Sequence, residues 1–209
     1  MYVRPDGKKI EIHKKLLASI SPELNKHVSK DPKNGIKNER EEVLTLFTEW
    51  AYTGDYARKD GTLFANTGNQ KGPEGDPWPS LHKHLQLCVF SEKFYIPTLR
   101  EFAESKFHIE IDPLEPKKKM DALGLVTVIG YAYRNLRCWD PILKFLAQYA
   151  AWKLELLREV AGFDNLILTK PDFSKELLMR LNGAKTKPIT PQKHPTHNPH
   201  IYTQPQAGW

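Results

Sequence analysis

The 209-residue sequence has few of the features that mark secreted or membrane-spanning proteins. It contains only two cysteines, Cys88 and Cys138, and no Asn-x-Ser/Thr site for N-glycosylation. Its longest uncharged apolar stretch, residues 122–133, is shorter than the roughly 18 residues that a transmembrane helix needs. The first dozen residues are rich in charge and hold no apolar signal-peptide region. These absences predict an intracellular protein of the cytoplasm or nucleus, neither secreted nor inserted in a membrane.

Motifs that build catalytic or cofactor sites are also missing. The sequence has no Gly-x-Ser-x-Gly, His-Glu-x-x-His, Gly-x-Gly-x-x-Gly or phosphate-binding Gly-x-x-x-x-Gly-Lys-Ser/Thr. Cys88 lies between two aliphatic residues, where a thiol behaves as a small hydrophobic group. Cys138 follows Arg137, which favours a thiolate, but precedes Trp139, which favours packing. We therefore predict a protein that is not an enzyme and that binds no cofactor.

The charge balance is weakly basic. The chain has 31 Lys and Arg against 25 Asp and Glu, a formal net charge of +6. Most basic residues are scattered, as on solvated helix faces, and the one compact run is Lys117–Lys119. This excess leaves nucleic-acid binding as an alternative, although no zinc-finger, leucine-zipper or ribonucleoprotein motif accompanies it. His194, His197 and His200 have the spacing of a weak metal site, but their proline-rich surroundings favour a disordered tail, and we predict no metal site.

Local patterns predict short strands followed by helices in the first half of the chain. Pro5-Asp6-Gly7 predicts a tight turn between two short strands at residues 2–4 and 8–12. In the second strand, Ile10 and Ile12 alternate with charged residues, which predicts one buried face. Ser21 before Pro22 has the chemistry of a helix N-cap. A helix that starts near Glu39 is predicted to end at Gly54, and two more helices are predicted over 81–95 and from Pro97. Residues 55–80 have four Gly and three Pro and are predicted to form a long inserted loop.

The second half is predicted to be helical. Asp140 before Pro141 is a predicted N-cap, and it opens what is predicted to be the longest amphipathic helix, reaching Val160. Residues 162–169 are predicted to break the helical pattern, and 175–181 to form a last short helix. Residues 184–209 are rich in Pro and His and poor in aliphatic side chains, which predicts disorder.

Several stretches, taken in order, resemble the BTB/POZ proteins found as stand-alone chains in filamentous fungi. A weaker likeness extends over residues 128–133 and 140–143. The three stronger stretches are 10–21, 47–54 and 90–99, and the residues that carry the motif are His13, Leu16, Leu17, Trp50, Tyr52, Gly54, Glu92, Lys93 and Leu99. From their own chemistry we assign these residues structural roles, as packing, capping or solvated groups.

The resemblance implies an α+β (α/β) fold in which a small, mostly N-terminal sheet is covered by helices. It places a BTB/POZ domain at residues 2–111, with the insertion at 55–80, and an all-helical extension at 120–182. It implies protein–protein interaction, with an adaptor role in a cullin-based ubiquitin ligase as one form. A nuclear, transcription- or nucleic-acid-associated scaffold is the alternative.

The resemblance also bears on partners. Members of the family form homodimers through a first strand that is longer than the one here. Members that bind cullins carry a hydrophobic-x-acidic motif in the region that residues 55–80 occupy, and no clean version of it is present. Trp78 is the one bulky apolar residue close to the next helix, and it is the candidate contact to a protein partner.

Overall fold

The computed structural model describes residues 2–3, 10–30, 36, 39–56, 77–181 and 186–190. Helices dominate these ranges. They are α1 (Lys14–Ile20), α2 (Pro22–Lys30), α3 (Glu41–Thr53), α4 (Trp78–Lys93), α5 (Pro97–Ile111), α6 (Lys119–Asn135), α7 (Pro141–Trp152), α8 (Leu154–Leu157), α9 (Ala161–Thr169) and α10 (Pro171–Arg180).

The predicted fold class is wrong. The strands within the described ranges are β1 (Tyr2–Val3) and β2 (Ile10–Glu11), which pair antiparallel with Val3 opposite Ile10. Of the described residues, about 75% are helical. Strands of two residues offer no face on which a layer of helices can pack, so the helices bury their apolar side chains against one another. The chain is therefore mostly helical, and it does not have the sheet-plus-helix architecture of the BTB/POZ fold.

The chain divides into two compact units. The first comprises Met1–Gly72, Phe90–Phe102 and Pro195–Trp209, and the second comprises Pro73–Val89 and Ala103–His194. This division differs from the predicted domain boundary near residue 111, because 103–111 and 77–89 belong to the second unit. Of the predicted insertion, residues 57–76 lie outside the described residues, and 78–80 form the first turn of α4. Of the predicted tail, only 186–190 are described.

Aromatic rings form the centre of the first unit. The ring centroid of Phe90 lies 5.1 Å from that of Phe47 and 4.8 Å from that of Phe94. Trp50 is fully buried, 6.3 Å from Phe47. The predicted end of α3 is confirmed, since Gly54 has a left-handed φ of 79° and donates its N–H to the Trp50 carbonyl at 2.8 Å.

Ser21 links two parts of the first unit that are far apart in sequence. Its Oγ accepts the backbone N–H of Leu24 at 3.0 Å, which confirms the predicted cap of α2. The same hydroxyl donates to the carbonyl of Phe94 at 2.6 Å. Both bonds are buried, so they are made without competition from water. One side chain therefore caps a helix and ties it to the end of α4.

Replacement of Ser21 by alanine should destabilise the protein by about 1–3 kcal/mol, because it leaves the buried carbonyl of Phe94 without its donor and removes a helix cap. The free energy of unfolding, measured by urea titration of the full chain, tests this. Ser19→Ala is the matched control, since the Ser19 hydroxyl makes an exposed bond to the Leu16 carbonyl, and its change should stay within about 0.5 kcal/mol. Equal losses in the two variants would contradict the assigned role of Ser21.

The second unit is built from helices alone in its described part. Its largest buried side chains include Tyr149, Phe163 and Phe173. The predicted cap of α7 is confirmed, because a carboxylate oxygen of Asp140 accepts the N–H of Ile142 at 2.9 Å in a buried position. These contacts fix the start of α7 and the packing around it.

Two of the predicted elements in this unit are wrong. The helix that begins at Pro141 ends at Trp152, because Lys153 leaves helical geometry, with φ −104° and ψ 21°. Residues 162–169, predicted to break the helical pattern, belong instead to α9, and Gly162 lies in its first turn, where a glycine costs little. The longest helix in the described ranges is α6.

Candidate interaction surface

The motif residues of the first two stretches all lie in the first unit and have structural contacts. The phenol oxygen of Tyr52 lies 2.6 Å from Nδ1 of His13 and accepts the backbone N–H of the same residue at 2.9 Å. Tyr52 is 44% exposed. Leu17 and Trp50 are buried, and Leu16 is half-buried. The structure therefore joins His13 to Tyr52 at the surface of a packed core.

The third stretch also lies in the first unit. Leu99 is fully buried. Lys93 pairs with Glu39 at 2.5 Å, and Glu92 lies 3.4 Å from the Arg100 guanidinium. Surface pairs of this kind contribute about 0–1 kcal/mol each. These residues stabilise the unit modestly and do not mark a site.

Two buried histidines of the second unit, one on α4 and one on α5, lie close to carboxylates. Nε2 of His84 lies 3.2 Å from the Glu110 carboxylate, and Nε2 of His108 lies 4.0 Å from that of Glu104. The His108 ring also meets the Phe145 ring edge-on, at 4.8 Å between centroids. Within the described ranges, no three His, Cys, Asp or Glu side chains are grouped so that they could hold a metal ion. The two imidazoles are buried and pack with the core.

Trp78, the predicted partner contact, is buried in the second unit. Its indole is 7% exposed and lies against Gly124 of α6. A Cβ added at Gly124 would lie 2.1 Å from Trp78 Cγ, far inside van der Waals contact. Only glycine permits this approach, and the burial of the ring argues against a contact between Trp78 and a partner.

The exposed side of α6 is a different kind of surface. Met120 is 72% exposed, Leu123 is 46% exposed, and Thr127 is exposed as well. Their i, i+3, i+7 spacing places the three side chains in one row, which we call the α6 stripe. The solvent-facing side of an amphipathic helix normally carries charge, yet residues 122–133 contain none. The α6 stripe is thus an uncharged surface in contact with water.

Several lysines lie near the segment that precedes α6. The ammonium group of Lys153 lies 3.8 Å from the centroid of the Trp152 ring and that of Lys187 lies 5.9 Å from it. Burial lowers the pKa of Lys153, and the charges of Lys117 and Lys187 lower it further, whereas Glu115 opposes them. Lys153 is therefore close enough to interact with both Lys117 and Lys187, and we call the three residues the lysine group.

The segment before α6 is held against α7 by a buried phenol. Tyr149 donates its hydroxyl to the carbonyl of Leu114 at 2.7 Å. Burial raises the pKa of Tyr149, with the carboxylates of Glu115 and Asp112 adding to the effect, so the phenol remains protonated and able to donate. This bond positions Lys117 relative to Lys153.

Asp121 fixes the first turn of α6. Its carboxylate accepts the backbone N–H groups of Lys117 and Lys118 at 3.0 and 2.9 Å. These two bonds hold the pKa of Asp121 below its ordinary value. The carboxylate is thereby engaged by the backbone, and the side chains of the lysine run remain exposed.

Comparison with protein-family models, with curated proteins and with solved structures gives no match for this chain. None of the helices within the described ranges is long and apolar enough to cross a membrane.

Sequence reasoning missed both the α6 stripe and the lysine group. The absence of charge over residues 122–133 was the available signal for the stripe, but an uncharged apolar run also fits a helix buried on all sides. The lysine group brings together residues from the segment before α6, the end of α7 and residues 186–190. No pattern local in sequence joins them.

The close packing of Trp78 on α6 yields a direct prediction. Gly124→Ala should lower the free energy of unfolding by about 1–3 kcal/mol, because the new methyl group overlaps the indole. Gly130→Ala on the same helix is the control. Its Cβ would meet only Leu166, at 3.8 Å, so it should be neutral or stabilising by up to about 1 kcal/mol. Thermal and urea unfolding of the two variants test the difference, and equal stabilities would show that the indole moves aside without cost.

Asp121 yields a prediction on pH. Its folded-state pKa lies below the ordinary value of 3.8. Its contribution to stability is therefore complete above that value and disappears as the pH falls through the lower folded-state pKa. Asp121→Asn should be less stable than the parent at about pH 6 and approach it at about pH 2–3. Urea unfolding at both pH values measures this, and a stability difference independent of pH would contradict the assigned role.

Proposed function

We propose that this chain is a non-enzymatic protein–protein interaction module and that the α6 stripe is its contact surface. The observation that carries the proposal is the uncharged, exposed row formed by Met120, Leu123 and Thr127. Contiguous exposed apolar surface is a recognised mark of protein interaction sites. An uncharged row also avoids the desolvation cost that charged groups impose on a contact.

The distribution of exposed apolar side chains supports placing the contact in the second unit. The large exposed hydrophobic residues that the structure describes in the first unit are two tyrosines, Tyr52 and Tyr95. Those described in the second unit are aliphatic or sulfur-containing except for Trp139, and apart from its indole N–H they have no polar side-chain group that donates to water. They are Ile109, Met120, Leu123, Trp139, Leu168, Leu178, Met179, Leu181 and Ile189.

A cullin is one partner to test, in an adaptor role within a ubiquitin ligase. That role follows from the motif resemblance and not from the observed fold, so the interaction proposal does not depend on it. We place the protein inside the cell, in the cytoplasm or nucleus, since Cys88 and Cys138 are both free thiols and Cys138 is exposed.

A nucleic-acid-associated scaffold is the second candidate function, and the lysine group is the observation that favours it. Phosphates are bound by such clusters of ammonium groups. Glu115 lies within the group, 3.3 Å from Lys117, and Asp112 lies close to Tyr149. These carboxylates reduce the attraction for phosphate, and the uncharged stripe contributes nothing to it. We therefore rank protein binding first.

Leu123→Lys should abolish or strongly weaken partner binding, because it puts a charge at the centre of the stripe. The expected loss is about tenfold or more in affinity, as for a residue central to an interface. The measurement is quantitative affinity capture from cells with the tagged full chain, comparing the captured proteins between parent and variant. Leu168→Lys is the control, since Leu168 is 82% exposed but lies on α9.

A set of captured proteins lost with Leu123→Lys and retained with Leu168→Lys would support the proposal. Identical sets for parent and Leu123→Lys would overturn it, provided that circular dichroism shows both proteins folded. Size-exclusion chromatography with purified cullin N-terminal domain tests the adaptor role separately. That role requires the parent protein to co-elute with the cullin domain and Leu123→Lys to lose this co-elution.

A further inference from the structure

Basic side chains lie at both ends of the α6 stripe. Lys117, Lys118 and Lys119 are exposed at its N-terminal end. Arg134 is exposed at its C-terminal end, and residues 122–133 between them are uncharged. Of the acidic residues at the N-terminal end, Asp121 is engaged by two backbone N–H groups, and Glu115 pairs with Lys117 at 3.3 Å. The surface is thus an apolar row flanked at both ends by basic side chains.

The shape of the surface suits a helix. The exposed residues Met120, Leu123 and Thr127 form the open part of the row. Further along α6 the protein covers itself, since the Tyr131 ring lies 4.2 Å from that of His82 and a Cβ at Gly130 would meet Leu166. The small side chain of Thr127 allows close approach, and helices pack at axial distances of about 8–10 Å. With about 1.5 Å of rise per residue, the row from Met120 to Thr127 is about 10 Å long, which matches about two turns of a partner helix.

We propose that the α6 stripe binds an amphipathic helix of a partner protein whose apolar face is flanked by acidic residues. This inference rests on the proposed function and specifies its partner. Aliphatic side chains of the partner would cover Met120 and Leu123, and carboxylates at its two ends would pair with the lysine run and with Arg134. Complementary charge at the rim sets the orientation and raises the association rate.

The charges argue against a second copy of the same chain as the occupant. In an antiparallel pairing, Lys117–Lys119 of one copy would face Arg134 of the other. In a parallel pairing, each lysine run would face the other lysine run. Like charges brought together in an interface oppose association, so either arrangement disfavours self-pairing through this face.

A displayed library of helical peptides, selected against the full-length protein, tests the inference. Enriched sequences are expected to carry an apolar i, i+3, i+7 stripe with Asp or Glu at the ends, and Leu123→Glu should abolish their binding. The double substitution Lys118→Glu/Lys119→Glu should lower the affinity of these peptides about tenfold, and the remaining affinity should depend much less on salt concentration. Leu168→Glu is the matched control and should leave their affinity unchanged.

Three outcomes would overturn the inference. They are the recovery of no enriched family, enrichment of basic instead of acidic flanks, and acidic binders that are indifferent to Leu123→Glu. Binding of single-stranded DNA that weakens steeply with salt and with the lysine substitutions, but not with Leu123→Glu, would assign the basic residues to nucleic acid instead. The lysine-to-glutamate substitutions leave the apolar row intact and test only the preference for acidic partners. Leu123→Glu tests the α6 stripe itself, so the two hypotheses can fail separately.

Discussion

The packing of Trp78 against Gly124 is the contact on which the arrangement of the second unit depends. An indole can lie directly on a helix backbone only where no side chain intervenes, and an added Cβ at this position would come within 2.1 Å of the ring. Gly124 is one turn after Met120, at the border of the α6 stripe. The contact therefore decides which side of α6 is covered by the protein itself, and it leaves Met120, Leu123 and Thr127 facing water.

Local chemistry predicted the parts of the fold that depend on one or two neighbouring residues. The caps at Ser21 and Asp140 and the end of α3 at Gly54 were all predictable, because each depends on the geometry of a single turn. The fold class was not predictable in the same way. The predicted strands are present as a two-residue ladder, but whether a ladder grows into a sheet is decided by non-local pairing that no short motif encodes.

The candidate surface was harder to predict than the fold, for two physical reasons. An apolar helix that is buried on all sides has the same sequence pattern as one whose exposed side binds a partner. The sequence of residues 122–133 therefore did not indicate which side of the helix faces solvent. The lysine group depends on Lys117, Lys153 and Lys187 being brought together by folding. Net charge alone suggested a diffuse basic excess, whereas the structure concentrates several lysines at one end of α6.

The discontinuity of the first unit has a consequence for how the protein is made. Segment 73–89, which belongs to the second unit, interrupts the first unit in sequence. Two contacts of the first unit join residues on either side of this segment, namely the hydrogen bond from Ser21 to Phe94 and the ring contact between Phe47 and Phe90. A nascent chain that has emerged from the ribosome only as far as residue 72 lacks half of each of these contacts. Phe47 therefore lacks its contact with Phe90 until residues 90–102 have been synthesised. A chaperone that binds apolar segments would find its target in that interval.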